Sequence, residues 1–310
     1  MFDLTNPIYH DPDAARQHLE ALHWPDGPVC PHCGTLNEAT KVGGKTARPG
    51  LYMCNACRKQ FTVTVGTIFE RSKIPLSKWL LAFRLMAGSK KGVSAHQLHR
   101  SLGITYKSAW FMAHRIREAM IDNDDGPLGG YGKTIEADET FVGGKESNKH
   151  KSKRRSGMTG GKGKLPVVSL VEREGKVRSF HVANVTGNTL RSVLVENVDR
   201  GSWLMTDDNS GYKAPGKEFV GHGVVKHSLG EYGRATYFHT NTVEGYFSIF
   251  KRGIVGIYQH VSEAHLGRYT TEFDFRYNTR DLEDAERTDE AIKGARGKRL
   301  MYRQPVSLAA

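Results

Sequence analysis

Long hydrophobic runs are scarce in this sequence of 310 residues. Even the apolar stretch Trp79–Phe83 is followed by Arg84, whereas a membrane span needs about 18 consecutive apolar residues. The opening residues, Met1–Leu4, lack the basic-then-apolar layout of a signal peptide. We therefore expect no membrane partner and a cytoplasmic location. A composition of 38% hydrophobic and 25% charged residues excludes a disordered or collagenous chain and suffices for two or three domains.

Acidic residues are outnumbered, since 33 Asp and Glu stand against 45 Lys and Arg and leave a net charge of +12. This excess favours a polyanionic partner, because cations that neutralise phosphates release bound counterions. Charge alone does not distinguish DNA from RNA or from an anionic membrane. The segment 145–164 has eight basic side chains and one acid, Glu146. We favour phosphate contact over an ordinary solvated charge run, and the candidate residues are Lys149, Lys151, Lys153, Arg154 and Arg155.

Cysteines are few and are grouped in two pairs. Cys30 and Cys33 form one CxxC, and Cys54 and Cys57 form the second after a gap of twenty residues. In a chain without an export signal this spacing indicates a metal rather than disulfides. Four thiolates complete a tetrahedral structural zinc site without His32, which lies inside the first pair. The sequence therefore predicts a zinc ribbon, and a redox role for the thiols is the disfavoured alternative.

A helical pattern follows the cysteines and contains a helix-turn-helix layout. Ser94–Thr105 predicts a capped short helix, a turn at Gly103 and the start of a second helix at Thr105. An apolar stripe marks the inner side of the second helix: Ala109, Ala113, Ile116 and Met120. We expect the outward side to contact DNA through Lys107, Ser108, Phe111, His114 and Arg115. A helical linker that only packs or dimerises is the alternative.

Beyond a glycine-rich linker that ends near residue 128, the pattern changes to strands. Three predicted strands, at 134–142, 166–172 and 177–184, precede a helix at about 188–198 and a fourth strand that ends before Asp207. A later helix begins near Thr240 or Asn241 and ends at Gly253. This order predicts an α/β domain with a mixed sheet.

Three carboxylates on separate elements suggest the chemistry. Asp138 lies in the first of these strands, Asp207 follows the fourth, and Glu244 lies on the later helix. Lys251, seven residues after Glu244, falls on the same side of that helix. Such acids suit two Mg²⁺ or Mn²⁺ ions, which prefer carboxylate oxygens and can promote in-line phosphodiester displacement. Because side chains alternate along a strand, we expect Glu139 to face away from this group.

These motifs resemble the DDE(K) transposases of bacterial insertion sequences. The resemblance, to the ISXO-like group that is related to eukaryotic Merlin elements, rests on Ile135–Lys145, on Thr206–Tyr212 and on His239–Gly253 with its E-x6-K spacing. It implies a ribonuclease H-like domain, with helices on both faces of a mixed five-stranded sheet. It also implies that Asp138, Asp207 and Glu244 hold two metal ions and that Lys251 contacts a phosphate.

The resemblance completes our predicted organisation. Residues 1–65 form an N-terminal helix and zinc ribbon, 66–127 the helix-turn-helix region, 128–282 the catalytic domain and 283–310 a basic tail. The implied function is to bind terminal inverted repeats in double-stranded DNA, cut the ends and join the 3′ hydroxyl to target DNA, as a homodimer or higher oligomer associated with the bacterial nucleoid. The alternatives are a regulator or domesticated transposase without cleavage, a structure-selective nuclease and, least favoured, a tyrosine recombinase using Tyr232 or Tyr258.

Overall fold

Two units make up the chain in the computed structural model, which describes residues 3–124, 126–144, 146–154, 156, 161–225 and 237–301. One unit joins Met1–Ile121 to Asp281–Ala310, and the other is Asp122–Arg280. Among the described helices, none is long and apolar enough to cross a membrane. The ribbon and the helix-turn-helix region, which we expected to be separate domains, lie in the same unit.

The first unit combines five helices with a small antiparallel sheet of order β1-β2-β3. Its strands are β1 (Ala39–Lys41), β2 (Tyr52–Cys54) and β3 (Gln60–Phe61), and its helices are α1 (Pro12–His23), α2 (Leu76–Gly88), α3 (Ala95–Leu102), α4 (Tyr106–Ala119) and, near the C-terminus, α8 (Asp284–Lys293). The ribbon has only a small core, in which Trp24 packs against Tyr52 and Phe61. Such a core gives little hydrophobic stabilisation, and a metal bound to the cysteines would add to it.

The two helices predicted on either side of Gly103 are present with their caps. Ser94 Oγ accepts from the Gln97 N–H at the start of α3, Gly103 ends that helix with φ of 59°, and Thr105 Oγ1 accepts from the Ser108 N–H at the start of α4. The predicted inner stripe of α4 is buried.

The predicted outward face of α4 is wrong for two residues. His114 is 1% exposed and lies against Trp110, while Arg115 is 7% exposed and donates from Nη2 to the Glu70 carbonyl. The Arg115 guanidinium also lies over the Trp79 ring. The aliphatic part of a long basic side chain can be buried when a carbonyl and aromatic rings contact its charged end. The middle of α4 is therefore buried on part of its polar side as well as along its apolar stripe.

The segment predicted as a basic tail begins as a packed helix. Glu283 and Glu286 form a capping box at the start of α8, and Ala291 and Ile292 are buried. The Ile292 carbonyl lies 3.0 Å from His23 Nε2 of α1. The apolar stripe of α8 contains only a few residues, so the charged residues around it hid the helical pattern in the sequence. Residues 302–310 lie outside the described part.

The second unit is built on a mixed five-stranded sheet. Its strands are β4 (Thr134–Val142), β5 (Leu165–Glu172), β6 (Val177–His181), β7 (Trp203–Thr206) and β8 (Gly221–Val224), in the order β6-β5-β4-β7-β8. β4, β5 and β6 pair antiparallel, whereas β7 runs parallel to β4 and β8 runs parallel to β7. The four strands predicted from the pattern are confirmed with small differences at their ends.

Helices cover both faces of this sheet, as we expected. α5 (Gly187–Asn197) packs on one face, where Leu190 and Leu194 meet Ile135 and Leu204. α6 (Asn241–Gly253) and α7 (Glu263–Asn278) cover the other, where Phe250 and Phe273 share a core with β5. Even-numbered positions of β4 face α6, and odd-numbered positions face α5. A carboxylate at an even position of β4 therefore points toward the helix that carries Glu244.

The outer edge of β6 is covered by side chains of α7. Asp274 accepts from the Ser179 N–H and hydroxyl, at 2.8 and 2.7 Å, and from the Tyr246 hydroxyl. Asn278 accepts from the Val177 N–H and donates to its carbonyl. These side chains take the place of a further strand, which protects an otherwise open edge.

Candidate active site and zinc site

Four thiols converge in the first unit. One Sγ atom from each lies within 4.8 Å of the others in a group formed by Cys30, Cys33, Cys54 and Cys57. Cys30 Sγ lies 3.7 Å from Cys57 Sγ, and Cys33 Sγ lies 3.6 Å from Cys54 Sγ. Sulfurs bound at 2.3 Å to one tetrahedral zinc ion stand about 3.8 Å apart. The thiol separations therefore fit the zinc site that the two CxxC pairs predict.

Local backbone geometry prepares this site. Gly34 and Arg58 each follow the second cysteine of a pair and have φ of 80° and 58°, so both pairs end in a left-handed turn. Hydrogen bonds from the hydroxyl and backbone N–H of Thr35 lower the pKa of the Cys33 thiol to about 6, which favours the thiolate that zinc binds. His32 lies outside the thiol group, with Nε2 3.4 Å from the Gln60 carbonyl.

In the second unit, Asp138 and Asp207 meet at one edge of the sheet. The parallel pairing of β4 with β7 ends at Ala137 and Thr206, so the two acids occupy the next position on adjacent chains. One carboxylate oxygen of Asp138 lies within 4.8 Å of one of Asp207. The neighbouring acid, Asp208, is exposed and is not in this group.

Glu139 joins these acids, although strand alternation led us to exclude it. Its carboxylate also reaches within 4.8 Å of Asp138 and Asp207. Glu139 does start on the opposite face, where Asn209 Nδ2 donates to one oxygen at 2.6 Å and the Tyr212 hydroxyl donates to the other at 3.0 Å. However, β7 has ended at this point, so on that side of β4 no strand separates the two faces, although β5 still pairs with β4 on the other side. To predict the position of Glu139 one must know where the partner strand ends, and the alternation pattern of β4 does not show this.

Crowding of acids changes the protonation of the site. Burial raises the pKa of Asp138 to about 7, with further contributions from the Asp207, Glu139 and Glu244 carboxylates, while the Glu139 N–H donates to Asp138 at 2.7 Å and opposes the shift. Burial also raises the pKa of Glu139. A divalent cation would relieve this repulsion, and carboxylate oxygens are the ligands that Mg²⁺ and Mn²⁺ prefer. The donor set therefore fits a hard divalent cation.

Glu244 lies near these acids on α6 but does not join their group. It lies in the first turn, where the Thr240 hydroxyl donates to its Oε1 at 3.4 Å, and its charge raises the pKa of Asp138. Glu244 is exposed and is not in the group formed by the other three acids. Lys251 lies in the last turn, with Nζ 5.9 Å from the centre of the Phe247 ring.

Two protein-family models match the chain on either side of the helical region. An ISXO2-like transposase domain matches residues 127–278, which contain the acids of β4, β7 and α6, and a transposase zinc-ribbon domain matches residues 10–60, which contain the four cysteines. The chain belongs to the ISXO2-like transposases. A protein of Halobacterium salinarum, described as an uncharacterized protein in transposable element ISH50, is 28% identical over 273 residues, or 83% of this chain and 88% of the relative.

In this ISXO2-like transposase, the basic insertion leaves the sheet beyond Asp138, at the end of β4. Four of the residues predicted to contact phosphates are exposed in it: Lys149, Lys151, Lys153 and Arg154. Arg154 also donates to the carbonyls of Ser147 and Lys149, which closes the loop on itself. Arg155 lies outside the described residues. On α4 of the transposase, Lys107 is exposed and Ser108 is half-buried.

The tyrosine-recombinase alternative finds no support in the transposase. The Tyr258 hydroxyl donates at 2.6 Å to Glu272, a buried acid of α7, and its ring packs against Tyr269. Tyr258 therefore has a structural role as the last residue of the π-helical turn that follows α6, Ile254–Tyr258. Tyr232 lies outside the described residues.

Proposed function

We propose that this transposase binds the terminal inverted repeats of its insertion sequence, cuts the DNA ends and joins the freed 3′ hydroxyl to target DNA. The observation that carries the proposal is the convergence of Asp138 and Asp207 within 4.8 Å at one sheet edge, with Glu244 acting on the same carboxylate from α6. The order β6-β5-β4-β7-β8, antiparallel on one side and parallel on the other, supports a ribonuclease H-like catalytic domain.

Asp138, Asp207 and Glu244 would hold two Mg²⁺ or Mn²⁺ ions. When bound, such ions supply electrophilic stabilisation of the attacking and leaving oxygens of a phosphodiester. Glu139 keeps both oxygens in hydrogen bonds to Asn209 and Tyr212, so it adds negative charge beside the ligands. Lys251, at the end of α6, would contact a phosphate near the scissile bond. In cleavage, water attacks the phosphorus and the 3′ oxygen of the element's end leaves as a free hydroxyl. In joining, that hydroxyl attacks a target phosphodiester and a 3′ oxygen of the target leaves, so one phosphodiester bond forms for each one broken.

DNA recognition is assigned to the basic surfaces. The exposed insertion that holds Lys149, Lys151, Lys153 and Arg154 begins at the end of β4 that carries Asp138, and its charges would track the phosphates of the DNA being cut. Lys107 and Ser108, at the N-terminal end of α4, would reach base edges or phosphates as the first turn of a recognition helix does. Holding two DNA ends together calls for at least a homodimer, and a DNA substrate places the transposase at the nucleoid in the bacterial cytoplasm.

The test is a strand cleavage and joining assay on DNA that carries the inverted repeats flanking the gene. With Mg²⁺ or Mn²⁺ we expect joined product from the wild type. Asp138→Ala and Glu244→Ala should each lower its rate by at least about 10³-fold, because each removes several kcal/mol of charge stabilisation. Asp208→Asn is the matched control, since this exposed acid lies outside the carboxylate group, and it should retain joining.

Each other outcome selects a different function. Tight binding to the repeats without cleavage in either metal would contradict the proposal and support a regulator or domesticated transposase. Cleavage without joining would support a structure-selective nuclease on the same fold. Full activity in Asp138→Ala would refute the assignment of the carboxylates.

A further inference from the structure

A third acid of β4, Glu136, lies near the Asp138 and Glu139 carboxylates without belonging to their group. Glu136 is 0% exposed and lies two residues before Asp138, so the two side chains share the face of the sheet that α6 covers. Its Oε1 accepts from Arg173 Nε at 2.7 Å and from the Thr242 hydroxyl at 2.9 Å. Its Oε2 accepts from the N–H groups of Thr242 and Val243, at 2.8 and 3.0 Å. Both oxygens are therefore engaged, and Glu136 is unsuited to bind a metal.

These contacts make Glu136 the cap of the catalytic helix. The first N–H groups of a helix have no partner within it, and Thr240, at the N-cap position, makes no side-chain cap bond. Glu136 supplies the missing acceptor from a different element, and its charge lies at the positive end of the helix dipole. Thr242 and Val243, which it holds, directly precede Glu244. The start of α6 is thus fastened to the strand that carries Asp138.

Arg173 fixes the approach to the same helix. It lies after β5, pairs with Glu136, and donates from Nη1 to the Tyr237 carbonyl at 2.8 Å and from Nη2 to the His239 carbonyl at 2.7 Å. His239 Nδ1 lies 3.1 Å from Glu136 Oε1, so this histidine also contacts Glu136 just before α6 begins. A buried ion pair such as Arg173–Glu136 stabilises the structure around it only when its hydrogen bonds are complete. A substitution in this pair should therefore displace the residues that lead into α6.

We propose that Glu136 is a positioning residue that sets the separation of Asp138 and Glu244 and thereby prepares the divalent-metal site. The inference rests on the proposed function in assigning both acids to that metal. Without the Glu136 bonds, the first turn of α6 would have to be ordered when the metal binds. Outer partners that orient metal ligands change metal affinity by about 10 to 100-fold when they are removed.

The test measures Mn²⁺ binding to the full-length, zinc-loaded protein by calorimetry, without DNA. Glu136→Gln keeps the shape of the side chain but replaces one acceptor by an NH₂ group, which faces donors whichever way it lies. We expect Mn²⁺ affinity to fall by about 10 to 100-fold. In a Glu244→Gln background the same substitution should change the affinity less than about twofold, because its effect passes through Glu244.

Asp274→Asn is the matched control for a general loss of stability. Asp274 is a half-buried acid that also accepts three hydrogen bonds, two from Ser179 at the outer edge of β6 and one from Tyr246, which lies on the opposite side of α6 from Glu244. It should lower the midpoint of thermal unfolding and leave Mn²⁺ affinity unchanged. If Glu136→Gln does not fold, Arg173→Lys is the second variant, since lysine keeps the charge but loses the fork to the Tyr237 and His239 carbonyls.

Four results would overturn the proposal. These are unchanged Mn²⁺ affinity in both Glu136→Gln and Arg173→Lys, an equal loss with or without Glu244, no Mn²⁺ binding by the wild type, and an equal loss in Asp274→Asn. Failure of the proposed function is separate. A wild type that binds Mn²⁺ but never cleaves DNA would refute transposition and leave the role of Glu136 supported by its binding data.

Discussion

The zinc site and the acidic site are built in different ways. The four cysteines lie between residues 30 and 57, and the two short turns that end at Gly34 and Arg58 orient them. The Asp138 and Asp207 carboxylates meet because β7 pairs with β4, and Glu244 lies near them because the start of α6 is hydrogen-bonded to Glu136 of β4. A locally built site is fully encoded in a short motif, whereas an assembled site depends on contacts that no motif contains.

The largest effect should come from breaking the local site. Cys57→Ser leaves three thiolates, and because structural zinc contributes about 10–16 kcal/mol to the folding of such small elements, we expect loss of zinc and unfolding of the ribbon. Zinc per chain by elemental analysis and amide exchange over residues 28–61 measure these changes. His32→Ala is the control and should retain both zinc and protection. A zinc-free wild type would refute the site altogether.

The same contrast explains what the sequence could and could not predict. The cysteines, the strand with Asp138 and the helix with Glu244 have strong local patterns, and each is where the pattern indicated. The positions of His114 and Arg115 were wrong because helical periodicity shows one apolar stripe and gives no sign of partners that receive an arginine from another side. Glu139 was excluded because alternation describes a strand within a sheet, not a strand whose partner has ended.

Glu139→Gln tests whether the assembled site extends beyond the predicted acids. The substitution removes a negative charge beside Asp138 and Asp207, and its amide would present an NH₂ group to the donors Asn209 and Tyr212. We expect Mn²⁺ affinity to fall by about tenfold. Glu196→Gln, at an exposed position of α5, is the matched control and should bind Mn²⁺ as the wild type does. Unchanged binding in Glu139→Gln would restore the view that three acids alone form the site.

A dependence on pH should distinguish the two sites further. Because a metal binds the carboxylate and the pKa of Asp138 is raised to about 7, Mn²⁺ affinity should fall about fivefold from pH 7 to 6 and about tenfold from pH 6 to 5. Calorimetry across this range measures it. Affinity that is flat down to about pH 5, as expected of carboxyls at their ordinary pKa, would contradict the crowding of the acids.

The raised pKa also affects stability in the absence of Mn²⁺. The folded state binds this proton more tightly than the unfolded chain does, so the stabilising contribution is present at low pH and is lost as the pH rises through about 7. The free energy of unfolding of the second unit, from urea titrations without added Mn²⁺, should therefore decrease from about pH 4 to about pH 7 and level off above it, and Asp138→Asn should reduce that slope. Burial also raises the pKa of Asp274, to about 6, so the variant Asp274→Asn measures how much of the pH dependence comes from that acid.

The smallest effect is expected from the backbone turns that orient the cysteines. Gly34 has φ of 80°, and a methyl group there would meet no atom within 4 Å, so Gly34→Ala adds conformational strain without a clash. A left-handed residue with a side chain costs about 1–2 kcal/mol, which lowers zinc affinity by roughly five to thirtyfold where folding and binding are coupled. Part of this is offset because alanine restricts the unfolded chain, so we expect about fivefold in a competition with a zinc chelator. Gly43→Ala, equally open and without a left-handed φ, should have no effect. If both alanines bind zinc as tightly as the wild type, the turns do not determine the site, and the packing of Trp24, Tyr52 and Phe61 around the thiols must set its geometry instead.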